Sequence, residues 1–134
     1  MIRLVYISTA RTELSKAELE SILRTSRRNN AAVGITGLLV SGGRRFLQAL
    51  EGPSGAVIQT YDRIKADARH FAAVTLDNRS ISERSFPGWA MGHQSGKSLH
   101  GDGAVAADVA ALIAPIADPI MHAYFAEFAK KHAA

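Results

Sequence analysis

The apolar positions of this chain change period several times, and each change marks an element. IRLVYIS, residues 2–8, is an unbroken β-rich run that predicts a buried strand. Ser15-Lys16-Ala17-Glu18 then has the form of a capping box, and Leu14 before it can staple onto Leu19. The helix that follows carries Leu19, Ile22, Leu23 and Ser26 on one stripe and is predicted to run to about Asn29. Continuing that stripe by seven from Leu23 lands on Asn30, so an amide points toward the core at the helix end. ITGLLVS, 35–41, is a second strand, and Gly42-Gly43 supplies a hairpin turn into a third, 44–51. Gly52-Pro53 breaks that strand and starts a helix whose inward stripe is Val57, Tyr61, Ile64 and Ala68. AAVTLDN, 72–78, reads as a fourth strand and WAMGHQ, 89–94, as a short fifth.

This order, β-α-β-β-α-β plus one strand, predicts an α+β, ferredoxin-like sheet with two helices on one face. In that topology the first and third strands are central neighbours. Within RRFLQALEG, residues 44–52, Gln48 alternates with Phe46 and Leu50 and so shares their face. A buried amide without a partner costs about 1–3 kcal/mol, so its presence there needs a reason. Tyr6 falls on the adjacent strand and Asn30 on the helix above, and three polar groups converge between sheet and helices.

The C-terminal part differs in character. SGKSLHGDG, 95–103, reads as a loop; Asp102 can cap a helix bearing Val105, Val109, Leu112 and Ile116. Asp118-Pro119 is an N-cap and N1 pair for a second helix with Ile120, Met121, Tyr124, Phe125 and Phe128. These helices either cover the open sheet face or form a dimer or partner surface. Covering is the preferred reading, because a bare apolar sheet face aggregates. Residues 1–94 are therefore read as one domain and 95–134 as a linker and helical extension of the same globular unit.

Composition narrows the function classes. A chain of 134 residues suits one domain with a real core, and 47% hydrophobic with 21% charged residues is ordinary for a globular protein. There is no cysteine, which removes disulfides, thiolate metal sites and Cys nucleophiles. MIRLVYIS has neither the h-region nor the cleavage site of a signal peptide, and no stretch is apolar enough to span a bilayer. These features fit a cytoplasmic protein. The net charge of +4 is spread over Arg27, Arg28, Arg44, Arg45, Arg63, Arg69, Lys130 and Lys131 without interleaved aromatics, which argues against nucleic acid.

Enzymatic motifs are missing. The five histidines show no metal spacing such as HExxH, and there is no GxSxG, Walker loop or GxGxxG. The loop after the first strand, STARTEL, has Arg11 but no glycine to cradle a phosphate, against an acylphosphatase-like site. Binding is better served. Asn30 and Gln48 each offer a donor and an acceptor, the mixture that a heterocycle with carbonyls and an N–H requires, and Tyr6 adds an oxidisable phenol.

RLVYIS, RRNNAAVGITGLLV, RRFLQALEGP, YDRIKADARH and RSFPGWAMG resemble, in order and spacing, segments of a BLUF domain, a blue-light sensor that uses FAD. The resemblance spans about residues 2–94 and implies that Tyr6 is a redox-active tyrosine and Gln48 the glutamine that switches its hydrogen bonds. It implies that Asn30, with Asn29 beside it, holds the flavin ring. Arg63, Asp67, Arg69 and His70 match flavin-lining positions, and Trp89 and Met91 match a fifth-strand pair that changes environment with light. The implied cofactor is FAD, with FMN or riboflavin as alternatives, and no metal. The implied mechanism is a light-driven rearrangement of the Tyr6–Gln48–flavin network with no substrate turned over. Without a recognisable output domain in the sequence, the signal would pass to a separate protein or through self-association into a homo-oligomer. The competing reading is a light-independent interaction module of the same fold.

Overall fold

The computed structural model describes residues 1–12, 15–42, 44–67, 70–84, 92–95 and 119–132. Its order is β1 (Ile2–Ala10), α1 (Lys16–Val33), β2 (Thr36–Gly42), β3 (Arg45–Gly52), α2 (Ser54–Ala66), β4 (His70–Ser80), β5 (Gly92–Ser95) and α3 (Pro119–His132). The sheet order is β4-β1-β3-β2-β5. The first four strands are antiparallel neighbours with β1 and β3 at the centre, as the ferredoxin-like reading requires. The short fifth strand joins beside β2 and runs parallel to it. Its described part, Gly92–Ser95, overlaps the end of the WAMGHQ run, and Trp89 and Met91 lie outside the described residues.

Local chemistry sets where α1 begins and ends. The Ser15 hydroxyl accepts from the Glu18 amide at 3.1 Å, and the Glu18 carboxylate accepts from the Ser15 amide at 3.2 Å. Leu14, assigned to the staple, is outside the described residues. The helix does not stop near Asn29 but continues one turn to Val33. Asn29-Asn30-Ala31-Ala32 contains no breaker strong enough to end it, and the stop is Gly34, in a left-handed conformation at φ 74°. There Gly34 and Ile35 both donate their amides to the Asn30 carbonyl, the latter at 2.9 Å. Asn30 therefore sits inside the last turn with its backbone pinned by the cap, not at a fraying end. The close of β3 passes the same cap: a Cβ on Gly52 would lie 2.7 Å from the Gly34 carbonyl oxygen. Only glycine lets strand and helix end meet there. Arg84 ties this corner further, donating to the carbonyls of Gly34 at 2.7 Å and Glu51 at 3.1 Å and to the Thr36 hydroxyl at 2.8 Å.

Alternation along the strands builds two apolar layers. Leu4, Tyr6, Leu39, Phe46 and Leu50 pack with Leu23 of α1 and with Val57 and Tyr61 of α2. Burying a side chain of this size contributes about 1.5–3 kcal/mol each. The opposite set, Val5, Leu38, Val40, Leu47 and Ala49, is equally buried. Over it lies α3, packed on β2 and β3 with Phe125 fully buried and Phe128 nearly so. Tyr124 adds a hydrogen bond from its hydroxyl to the Leu76 carbonyl of β4 at 3.1 Å. This helix thus covers the sheet face, the arrangement preferred because a bare apolar face aggregates; the helix assigned to 102–116 lies outside the described residues.

Candidate functional site

Tyr6 on β1 and Gln48 on β3 are direct cross-strand partners, and Leu39 of β2 stands opposite Gln48 on its other side. All three side chains face the helix layer. The Tyr6 hydroxyl donates to Gln48 Oε1. The same amide also carries an NH2 with two donors. The glutamine of this central strand thus has its oxygen satisfied by a buried phenol.

On the far side of Gln48 is a cavity of about 210 Å³ between α1, β3 and α2. Helix α1 contributes Ser26, Asn29 and Asn30; β3 contributes Gln48 and Leu50; α2 and its end contribute Thr60, Arg63, Ile64 and Asp67. Asn30 is buried at 2% exposure and Gln48 at 6%, so two amides edge a cleft whose walls include Leu50 and Ile64. The Arg63 guanidinium reaches the Thr60 hydroxyl at 3.5 Å, toward the more open side. Pockets that enclose a whole drug-sized ligand usually run from about 300 Å³ upward. This one suits a ring system whose tail lies outside. Amides with both donor and acceptor, apolar walls and a cation at the mouth fit a flavin ring with carbonyls and an N–H at its edge.

The structure brings together Tyr6, Asn29, Asn30, Gln48, Arg63 and Asp67. Arg69 lies outside the described residues, and of His70 only the backbone, at the start of β4, is described. Thr60 was not singled out from the sequence. The signal was available: within Val57, Thr60, Tyr61 and Ile64 it is the polar residue on an inward stripe, the helical counterpart of Gln48 in its strand. Among the described residues no group of three or more His, Asp or Glu is placed to hold a metal.

Tyr6 has a strongly altered environment. Burial raises its hydroxyl pKa far above the usual phenol value near 10, and Tyr61, at 4.8 Å between ring centroids, adds to the rise. It is a neutral donor throughout the physiological range. The sign of the linkage follows. Above pH about 10 the unfolded chain releases a phenol proton that the native fold retains, so stability falls by about 1.4 kcal/mol per pH unit from this group. Denaturant unfolding from pH 9 to 11 should show wild type losing that increment relative to Tyr6→Phe. Parallel curves would mean that Tyr6 ionises normally in the fold.

Residues 1–92 match the family model described as BLUF, sensors of blue-light using FAD. The chain belongs to the BLUF family. It is a blue-light sensor, and its cofactor is a flavin. Over 84 residues it is 42% identical to the photoactivated adenylate cyclase subunit beta of Euglena longa, a match that covers 63% of this chain and 10% of that protein. The alpha subunit of Euglena gracilis is 40% identical over 86 residues, covering 64% of this chain and 8% of that one. The chain thus spans about a tenth of these curated relatives. A solved structure of BlrB, a BLUF protein in its dark state, superposes with a TM-score of 0.74 at 32% identity and covers 96% of this chain and 95% of the other. A bacterial light-regulated adenylyl cyclase superposes at 0.71 with 30% identity, over 96% of this chain and 36% of that one. No helix among the described residues is long and apolar enough to cross a membrane.

Proposed function

We propose that this BLUF protein senses light through Tyr6 and Gln48, with the flavin ring held in the α1–β3–α2 cavity by Asn29, Asn30, Arg63 and Asp67. The observation that carries the assignment is the Tyr6–Gln48 hydrogen bond at the wall of that cavity. A bound flavin absorbs blue light and supplies an excited oxidant. Tyr6 is the phenol next in line, and because burial forbids a charged phenol, loss of its electron is coupled to loss of its proton. Gln48 Oε1 is the atom placed to take that proton. While Tyr6 is oxidised the amide rotates or tautomerises; return of the electron and a proton to Tyr6 then restores the phenol and leaves a different group of Gln48 facing the cavity. The packed layer around the pair, with Leu4, Leu39 and Leu50 almost dry, excludes water that would blur the two states.

The same residues argue against a light-independent interaction module, since partner docking has no use for a buried phenol–amide pair facing a cavity. No step in this scheme turns over a substrate. We assign Trp89 and Met91, Arg69 and His70 the supporting roles that the family pattern implies. The C-terminal residues 95–134 are read as one unit with the sensor, supported by the burial of Phe125 and Phe128. Output passes to a separate protein or through self-association, in the cytoplasm. The absorption spectrum before and after blue light tests the function: a reversible red shift is expected, and a flavin-loaded protein with no light-induced change would overturn it.

A further inference from the structure

Tyr6 is not the sole phenol in its layer. Tyr61 of α2 is also buried, at 5% exposure, and its ring centroid is 4.8 Å from that of Tyr6 with the planes tilted by 41°. Two phenol rings that close can exchange an electron, and only one of them is bonded to the switch. If Tyr61 passes an electron to oxidised Tyr6 before the amide has turned, Tyr6 recovers it together with its proton from Gln48. Gln48 is then back at its starting point. Tyr61 is left one electron short, with its hydroxyl accepting from that of Thr75 at 3.0 Å. A neutral threonine hydroxyl is a poor proton acceptor and has no amide to turn, so this transfer wastes the photon.

The structure places a charge against that loss. Lys65 lies one helical turn from Tyr61, and its ammonium sits 4.7 Å from the Tyr61 ring centroid. Asp62, three residues earlier, pairs with the same ammonium at 3.4 Å and helps to keep it there. A cation over an aromatic face is attracted to the neutral ring and repelled by a ring that has lost an electron. We propose that Lys65 is a positioning residue of the light reaction, whose charge over Tyr61 keeps the one-electron vacancy on Tyr6 beside Gln48. The proposal rests on the reading of Tyr6 as the electron donor to the light-excited flavin.

The test is transient absorption of the flavin-loaded protein, following both the tyrosyl radical and the yield of the long-lived red-shifted state. Lys65→Met keeps the aliphatic stem and removes the charge. It should lower that yield roughly two- to fivefold, the factor a half-exposed cation–π contact corresponds to, and prolong the radical. Adding Tyr61→Phe to Lys65→Met should restore the yield, because phenylalanine cannot take the vacancy, and Lys65→Arg should keep it. A second readout needs no flavin. In apoprotein oxidised by an added one-electron photo-oxidant, the radical detected by paramagnetic resonance should move from Tyr6 toward Tyr61 on Lys65→Met. An unchanged yield in Lys65→Met, or a loss that Tyr61→Phe does not reverse, would overturn the proposal. Failure of the underlying reading looks different: Tyr6→Phe would then still show the normal photocycle.

Discussion

Gln48→Ala yields a protein that still binds flavin but shows no light-induced red shift, and Tyr6→Phe behaves the same way. The two substitutions break the same hydrogen bond from opposite ends. Tyr6→Phe removes the hydroxyl that donates to Gln48 Oε1 and with it the coupled proton. Gln48→Ala leaves the phenol but removes the amide that must present a different group to the cavity after light. Neither change unfolds the sheet. Phenylalanine fills the space of the Tyr6 ring, and alanine at 48 keeps the strand backbone and its ladder. Flavin affinity should fall by no more than about tenfold for Gln48→Ala, since one hydrogen bond contributes roughly 0.5–1.5 kcal/mol net. The measurement is the light-minus-dark spectrum at matched flavin content. A red shift of wild-type size in either variant would remove the pair from the role assigned to it.

Asn30→Ala has its largest effect on binding instead. The side chain is 2% exposed, lines the cavity from α1, and belongs to a turn whose backbone is held by the Gly34 cap. Its amide therefore meets a ligand already in place, with little entropy left to lose. Removing it leaves polar ring atoms facing a methyl group, a loss of about 1–3 kcal/mol or roughly 5- to 150-fold in affinity. Alanine is a better helix former than asparagine, so α1 itself gains and a folding defect does not confuse the result. Titration of apoprotein with FAD measures the loss directly. Asn29, half-buried on the same wall, should cost less than tenfold on replacement by alanine. Equal affinities for wild type and Asn30→Ala would place the ring edge elsewhere.

The spacing of Leu19, Ile22, Leu23 and Asn30, the Gly-Gly turn and the period-two run around Gln48 carried enough information to predict the sheet. They also showed that Tyr6, Asn30 and Gln48 face the same layer. Those features are local: periodicity, breakers and caps act within a few residues, so the chain itself displays them. The end of α1 was less legible, because Asn29 and Asn30 look like a stop signal while the actual stop is the left-handed Gly34 four residues on. Other properties depend on which distant segments meet. The bond between Tyr6 and Gln48 spans 42 residues and exists because β1 and β3 pair in a register that sets 6 against 48. The placement of β5 beside β2, the cover that Phe125 gives the second face, and the closeness of Tyr61 and Thr75 to Tyr6 are of the same kind. Sequence alone brought three polar groups together inside this fold, and their resemblance to a BLUF domain implied that they edge a flavin. Only the tertiary structure decided that a second phenol, Tyr61, stands next to the one that switches, because that contact is made by helix packing on the sheet and not by any pattern along the chain.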